Sequence, residues 1–538
     1  MKFKIKSIFA VCTALLAGTA SAAGFYGNQS DIKWKTAGTE HFQFIYPTEY
    51  STHAAKVSAY AEAVYDSVTS RYNKPLPRIS AVLNNALYSN GSAIPSENAL
   101  NLWLTNWDFK IRSSHGWISD VVTHEFSHLV SIESGSKIVP NLYGFQFSYT
   151  DYYNERTRTD FLTMIPFTLQ PLWFAEGTAQ YESSRMGFDA WDTHRDMLLR
   201  TAALNDSLMT LPYMHEFSDN SLLAELGPYT QGFSLVLYIA KHYGDDAIPK
   251  IWHELGKPYR ATLNGAIKSV LGISEQQLYD NWKKEITEHY QAQKDSLGTL
   301  VEGIKITKDA FWQDFPVVSG KNLYGISNFG GPWFDGSVFK IPLEDTLKTK
   351  DERRETRDDK CANQGSDCPK TDSANVEIGD IEIEGADSSL IDISKFAKSG
   401  FKAKKPWFDK GIDVFEDSTH GPILAYISYQ NRDKDGHAHF DVAVSDTNKN
   451  EVAITYLVDA VYPSFNNQGS AIVFVRREPF STRFVLSKIP FNSDLKNAST
   501  EEPIDIFKPD TSFLYYNIYS PKFSPDGKRI AFSFFDDK

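Results

Sequence analysis

His124-Glu125-Phe126-Ser127-His128 and Glu176 are the residues of this chain whose types and spacing can do chemistry. Positions i and i+4 share one face of a helix, so the imidazoles of His124 and His128 can converge on one cation. Glu176, within Trp173-Phe174-Ala175-Glu176-Gly177 and 48 positions after His128, supplies an oxygen as third ligand. Three protein ligands leave the fourth position of a tetrahedral zinc to water, which marks a catalytic rather than a structural metal. Zinc brings that water's pKa toward neutrality. Glu125, projecting beside the metal, can then take the proton as the water attacks a carbonyl. The bland alternative is a helix with two surface histidines, which has no need of Glu125 or Glu176.

These residues need two helices and a frame. Phe42–Tyr46, Ile79–Leu83 and Ala99–Leu104 read as strands, and Ala54–Tyr72 carries apolar residues at helical spacing. The metal helix has Ile118, Val121, Val122, Phe126, Leu129 and Val130 on its apolar side, with Gly135 as its expected C-cap. Pro171 marks the start of the next helix and puts Glu176 in its second turn. Helices are predicted at Phe233–Tyr243, Ala247–Leu255 and Glu275–Gln291, closing the cleft from the far side. The insert Ser134–Gln170 is expected to border the cleft. The uncharged run Phe161–Trp173, which overlaps its end, is read as packing under the active-site loop.

The His-Glu-x-x-His pattern with a downstream Trp173-x-x-Glu176-Gly177-x-Ala179-x-Tyr181 resembles the gluzincin metallopeptidases, in the branch of the aminopeptidases and the leukotriene hydrolase. Pro228-Tyr229-Thr230-Gln231-Gly232-Phe233 is similar to that family's Pro-Tyr-x-x-Gly-Phe segment, whose tyrosine stabilises the oxyanion of the tetrahedral intermediate. The resemblance therefore assigns that role to Tyr229, where a preorganised donor is often worth ~3 kcal/mol of barrier. It covers about residues 40–295. Two departures stand out. The gap between the second histidine and the third ligand is longer than in the aminopeptidases. The family's Gly-x-Met-Glu-Asn segment, whose glutamate holds the substrate's free amine, has no recognisable counterpart. Ser96-Glu97-Asn98 lies at a comparable distance upstream, and Glu97 reads better as a solvated turn residue. Aminopeptidase activity is accordingly not carried over. Thr123, Glu182 and His115 are candidates to hold the outer nitrogens of the ligand histidines.

After about residue 301 the pattern changes to short strands and turns. Phe315–Tyr324, Tyr462–Phe474 and Ser520–Phe532 share an apolar segment, a turn rich in Gly, Asn or Asp, and an apolar strand. Another strand group lies at Pro422–Tyr429. Such repeats point to propeller blades. The last one, Phe523-Ser524-Pro525-Asp526-Gly527-Lys528-Arg529-Ile530-Ala531-Phe532, resembles the blade motif of TolB-type propellers. A propeller must close to bury its edges. With Lys538 falling inside a blade, the expectation is of an incomplete propeller, the front part of a longer protein. The acidic stretch 346–389 is expected to be a mobile insert. Its Cys361 and Cys368 are expected to close a small disulfide loop rather than bind metal. Asp433-Lys434-Asp435-Gly436 before His437 and His439 reads as a hairpin turn in preference to a metal site.

The chain has 538 residues, with a net charge of −13, 41% hydrophobic and 14% aromatic residues. It shows no basic stripe of the kind that binds nucleic acid. Lys2, Lys4 and Lys6, the apolar Ile8–Ala17 and the small-residue site Ala20-Ser21-Ala22 make residues 1–22 read as a secretory signal peptide. No later segment reaches transmembrane length, so the expected location is the periplasm or the exterior. The expected fold class is α+β. A mainly helical gluzincin-like domain with a small mixed sheet (23–300) would be followed by an all-β, TolB-like propeller (301–538). The expected function is a zinc-dependent peptidase acting on peptide or protein substrates, with one zinc and a possible protein partner at the propeller. A non-catalytic, propeller-based binding module that retains the gluzincin scaffold is the alternative. Hydrolysis of an epoxide or ester by the same residues is a third reading.

Overall fold

Period-two alternation in three short segments sets the frame on which the rest is built. In this computed structural model, strands β1 (Trp34–Gly38), β2 (Phe42–Pro47), β3 (Ile79–Asn84), β4 (Gly91–Ile94) and β5 (Ala99–Trp103) form one sheet ordered β1-β2-β3-β5-β4. β2, β3 and β5 run parallel, and β1 and β4 pair antiparallel at the two edges. Phe42, Phe44, Ile79, Ala81 and Leu83 point into the core, while Gln43 and Ser80 stay half exposed. Helix α1 (Ser51–Arg71) is the crossover that parallel β2 and β3 require.

The structure describes residues 32–299 except 85–88, 105–114, 138–142, 151–157, 166–170 and 218–220. It also describes 307, 313–327, 336–343 and most of 401–536. The expected signal peptide, the acidic insert 346–389 with Cys361 and Cys368, and His437 lie outside the described residues. Among those described, no helix is long and apolar enough to cross a membrane.

Helix α2 (Trp117–Gly135) packs on the sheet and α1. Phe126 meets Phe42 edge-on at 5.6 Å, and Tyr65 of α1 stacks on it at 5.5 Å. Burying a ring of this size contributes about 2–3 kcal/mol. α2 is buried on nearly all sides because α3 (Leu172–Arg185) covers a second face. A hairpin of β6 (Tyr143–Thr150) and β7 (Arg158–Ile165) lies between α2 and α3 in the chain. Helices α4 (Thr193–Leu204), α5 (Gly232–Tyr243), α6 (Ala247–Leu255), α7 (Leu263–Leu271) and α8 (Glu275–Ser296) follow. Gly135 proves to be the last helical residue rather than a left-handed cap. A Cβ there would lie 2.8 Å from Trp252 of α6, so the glycine serves a close approach and the chain turns at Ser136 (φ −81°).

From residue 313 the described residues form four antiparallel sheets. β8 (Gln313–Ser319), β9 (Asn322–Ser327) and β10 (Ser337–Pro342) make the first. The second contains β11 (Ile412–Asp417), β12 (Gly421–Ser428), β13 (Asp441–Asp446) and β14 (Glu451–Ala453). β15 (Ala460–Phe465), β16 (Ala471–Arg477), β17 (Phe484–Pro490) and β18 (Ile504–Phe507) form the third, and β19 (Tyr516–Phe523) with β20 (Ile530–Asp536) the fourth. Their first strands stand side by side, β8 on β11, β11 on β15 and β15 on β19. β12 is buried on both faces. Ile423, Ala425 and Ile427 pack toward β16, and Leu424 and Tyr426 toward Tyr324 and Ile326 of β9. The whole is a mixture of helices and sheets, consistent with an α+β fold.

Candidate metal centre

The three expected ligands come together. His128 Nε2 lies 3.1 Å from His124 Nε2 and 3.3 Å from Glu176 Oε2, and His124 Nε2 is 3.2 Å from the same oxygen. The donors of a tetrahedral zinc with bonds of about 2.05 Å stand about 3.3 Å apart, so this triangle fits such an ion. Two imidazole nitrogens and a carboxylate are also a donor set that zinc accepts. The side chains are only 10–12% exposed.

Each ligand is positioned by its helix. His124 and His128 are one turn apart on α2. Asp120, one turn before His124, accepts a hydrogen bond from Ser183 of α3 at 2.6 Å and faces His115 Nε2 at 2.7 Å. α2 and α3 are therefore tied together beside the site. Asp120 is buried, which opposes its ionisation, yet the His115 charge and hydrogen bond hold its carboxyl well below the usual range. Asp189 lies close to His115 and Asp120, but the guanidinium of Arg195 grips it at 2.7 and 2.9 Å. That second cluster is a compensated charge network.

α3 begins just after its N-cap Pro171 and carries Glu176 in its second turn. Trp173 Nε1 donates to Glu275 Oε1 (3.0 Å), and Trp252 Nε1 donates to Thr178 Oγ1 (3.2 Å). α3 then crosses α5 backbone to backbone. A Cβ on Gly177 would fall 2.4 Å from the Gly232 carbonyl oxygen, and one on Gly232 would fall 2.5 Å from the Trp173 oxygen. Only glycine at both positions permits this approach, which fixes the turn that bears Glu176.

Just before the crossing, Glu225–Gln231 winds as a π-helix with Pro228 inside it. Proline has no N–H to give to the ladder, and such widened turns are frequent at functional sites. Gln180 of α3, one turn beyond Glu176, donates to the Tyr229 carbonyl at 3.2 Å. The half-buried Tyr229 ring stacks on Phe217 at 5.6 Å. Tyr229 is thus anchored through its backbone to α3, the helix that carries Glu176.

Glu125 is 7% exposed, and burial raises its pKa against the opposing pull of His124 and His128. Its carboxylate lies against edge strand β4. A Cβ on Gly91 would be 2.4 Å from Oε1 and 2.6 Å from Val121 Cγ2. Burial resists a charged His124, but the hydrogen bond it donates to Glu176 and the neighbouring Glu125 charge outweigh it and raise the ring to about 9. Burial likewise opposes ionised Glu176, and the charge of His128 with the bonds to both rings holds it well below the carboxylate range. Proton and metal therefore compete for the same nitrogens.

The three candidates for the outer ring nitrogens take other partners. Thr123 donates to the Ser119 carbonyl, as helical threonines do. Glu182 binds Arg71, Tyr72 and Arg185, and His115 faces Asp120. Glu97 stands exposed in the turn Pro95–Glu97 that follows edge strand β4. His439 faces Asp459 at 2.8 Å and Asp433 at 3.4 Å, an ion-pair arrangement. Sequence reasoning missed Gly91, Gln180 and Asp120. Asp120 had a signal, since it lies four residues before His124 on the same helical face. The other two act across long-range contacts.

No protein-family model matches the chain, and no curated protein sequence matches it. Among solved structures it is similar to an aminopeptidase N family protein from Idiomarina loihiensis, at 12% identity and a TM-score of 0.28, over 46% of this chain and 45% of that one. It is also similar to an M1 zinc metallopeptidase variant from Deinococcus radiodurans bound to a Tyr-Ser-Ala substrate. There the identity is 13% and the TM-score 0.26, over 47% of this chain and 52% of that one. The chain thus spans about half the length of the structures it matches.

Proposed function

We propose that this protein is a zinc-dependent peptidase. The observation that carries the reading is the triangle of His124, His128 and Glu176 donors, sized for zinc, with the buried carboxylate of Glu125 on the same helix. Zinc held by these three residues would supply Lewis-acid polarisation and a water of lowered pKa. Glu125 takes the proton of the attacking water and delivers it to the departing amine. Tyr229, which the π-helix carries, donates to the oxyanion as the carbonyl carbon becomes tetrahedral, the role its segment's resemblance suggests. β4 is an edge strand, so its outer side can pair with an extended peptide next to Glu125.

Around this centre we read residues 23–300 as the catalytic domain and 301–538 as blades of a TolB-like propeller. The side-by-side first strands of four sheets support the second assignment. The propeller would restrict access or receive a protein partner. The pattern of residues 1–22 supports export to the periplasm or beyond.

The test is zinc content and peptide hydrolysis on the purified chain beside Glu125→Gln. One zinc in each, with turnover in the parent and a loss of at least ~10³-fold in the variant, is the expected result. Absence of zinc from both would end this reading. A binding module built on the same scaffold would show zinc in both and turnover in neither.

A further inference from the structure

Resting on the peptidase reading and on the role it gives Tyr229, we infer that Phe217 determines specificity. It receives an apolar side chain on the substrate residue whose carbonyl is attacked. Phe217 is a large hydrophobic residue left 45% exposed. Its ring centre lies 5.6 Å from that of Tyr229, with the two planes 24° apart. Stacking at this range is a favourable packing of aromatic rings.

The backbone beneath Phe217 is tied to both elements of the centre. Gln231, the last residue of the π-helix, clasps Met209 with its whole side-chain amide. Its Oε1 accepts from the Met209 N–H at 2.8 Å, and its Nε2 donates to the Met209 carbonyl at 3.0 Å. Met214, which closes the short 3-10 turn Leu211–Met214, is fully buried, and its sulfur lies 3.1 Å from the same Nε2. The His215 carbonyl then accepts from the N–H of Leu172, the first residue of α3, at 3.2 Å. Phe217 follows directly after this tie. Its segment is thus registered on the π-helix that carries Tyr229 and on the helix that carries Glu176. A single exposed hydrophobic residue is ordinary on a protein surface. One stacked on Tyr229 and fastened to α3 is apolar surface that a bound substrate meets.

With the Tyr229 hydroxyl at the carbonyl oxygen, the nearest substrate side chain is the one on the residue that owns that carbonyl. Phe217 extends the Tyr229 ring into a longer aromatic surface on which this side chain can pack. Phe, Tyr, Leu or Met there takes its own surface and part of Phe217 out of water together. Alanine covers little of the ring. Aspartate would shed water against a surface that offers its charge no partner.

The experiment begins by digesting reduced, alkylated α-lactalbumin with the zinc-loaded full chain and locating the cuts by mass spectrometry. A peptide spanning one cut is then made with Phe, Leu, Ala or Asp as the residue that contributes the carbonyl. The parent should favour Phe and Leu over Ala by at least about tenfold in kcat/KM. In Phe217→Ala that ratio should narrow to about threefold or less, and Phe217→Leu should keep most of it. Fluorescence anisotropy without turnover gives a second readout. The Phe peptide should bind zinc-loaded Glu125→Gln more tightly than the Ala peptide, and adding Phe217→Ala should bring the two together within about twofold. A purely structural role for Phe217 would weaken all four peptides alike and leave their ratios unchanged. That result, or cuts indifferent to the residue before them, would overturn the inference and leave the peptidase reading standing. Cleavage of nothing by a chain that holds zinc would remove both.

Discussion

Gly91 shows how much can hang on one absent methyl group. It is on the edge strand, far in sequence from α2, yet its missing side chain is the space into which the Glu125 carboxylate fits. An alanine there would push both Glu125 and Val121, whose atoms are the nearest to the added methyl group. Gly91→Ala is therefore expected to leave zinc stoichiometry unchanged while lowering kcat by about 10²-fold, since a displacement of an ångström at a reacting group is often worth that much. Parallel measurements of kcat, KM and bound zinc would check it. An unchanged kcat would mean that the carboxylate has slack to spare and that the strand does not position it.

At the scale of elements, the decisive contact is the crossing of α3 and α5. Gly177 follows Glu176 and Gly232 lies three residues after Tyr229, so one close approach registers both against each other. Gly177→Ala would drive a methyl group into backbone, which cannot rotate away. The expected cost is about 1–3 kcal/mol of stability, as for other overpacked cores, together with weaker zinc retention in a chelator competition. A variant that melts and holds zinc like the parent would show that the helices can separate at no cost. Much of this architecture was legible beforehand. The i, i+4 histidines demand a helix, and the Trp-x-x-Glu-Gly and Pro-Tyr-x-x-Gly-Phe segments marked the two that cross. Their glycines could be seen, but not that they face each other. The π-helical turn was hidden as well, because it depends on how Gln180 of one helix satisfies a carbonyl of another.

Over the whole molecule, legibility followed the same rule. Three of the four first strands in the later half announce themselves by a proline at a bulge. Pro316, Pro463 and Pro521 each follow a residue at positive φ, namely Phe315, Tyr462 and Ser520. β11 has neither proline nor bulge, Gly411 at φ 102° standing just before it, and sequence reasoning passed over it. The charges that link the two halves left no pattern either. Tyr50, at the start of α1, is buried, and Arg477 at the end of β16 and Asp459 just before β15 act on it. His53, whose ring meets Tyr50 at 5.3 Å, is pushed down to about 4, first by burial and then by Arg483 and Lys56. The unfolded chain would take up this proton near pH 6.5. Between about 6.5 and 4 the unfolded state thus binds a proton that the folded state refuses, so stability falls as pH drops through that window. Above it the contribution is fully present. His53→Gln removes the titrating group, so melting temperatures measured from pH 7.5 to 4 should decline less steeply for the variant than for the parent. Parallel declines would show that His53 is as free to charge in the folded protein as in the unfolded chain, and that the contact between the halves does not sense acid through it.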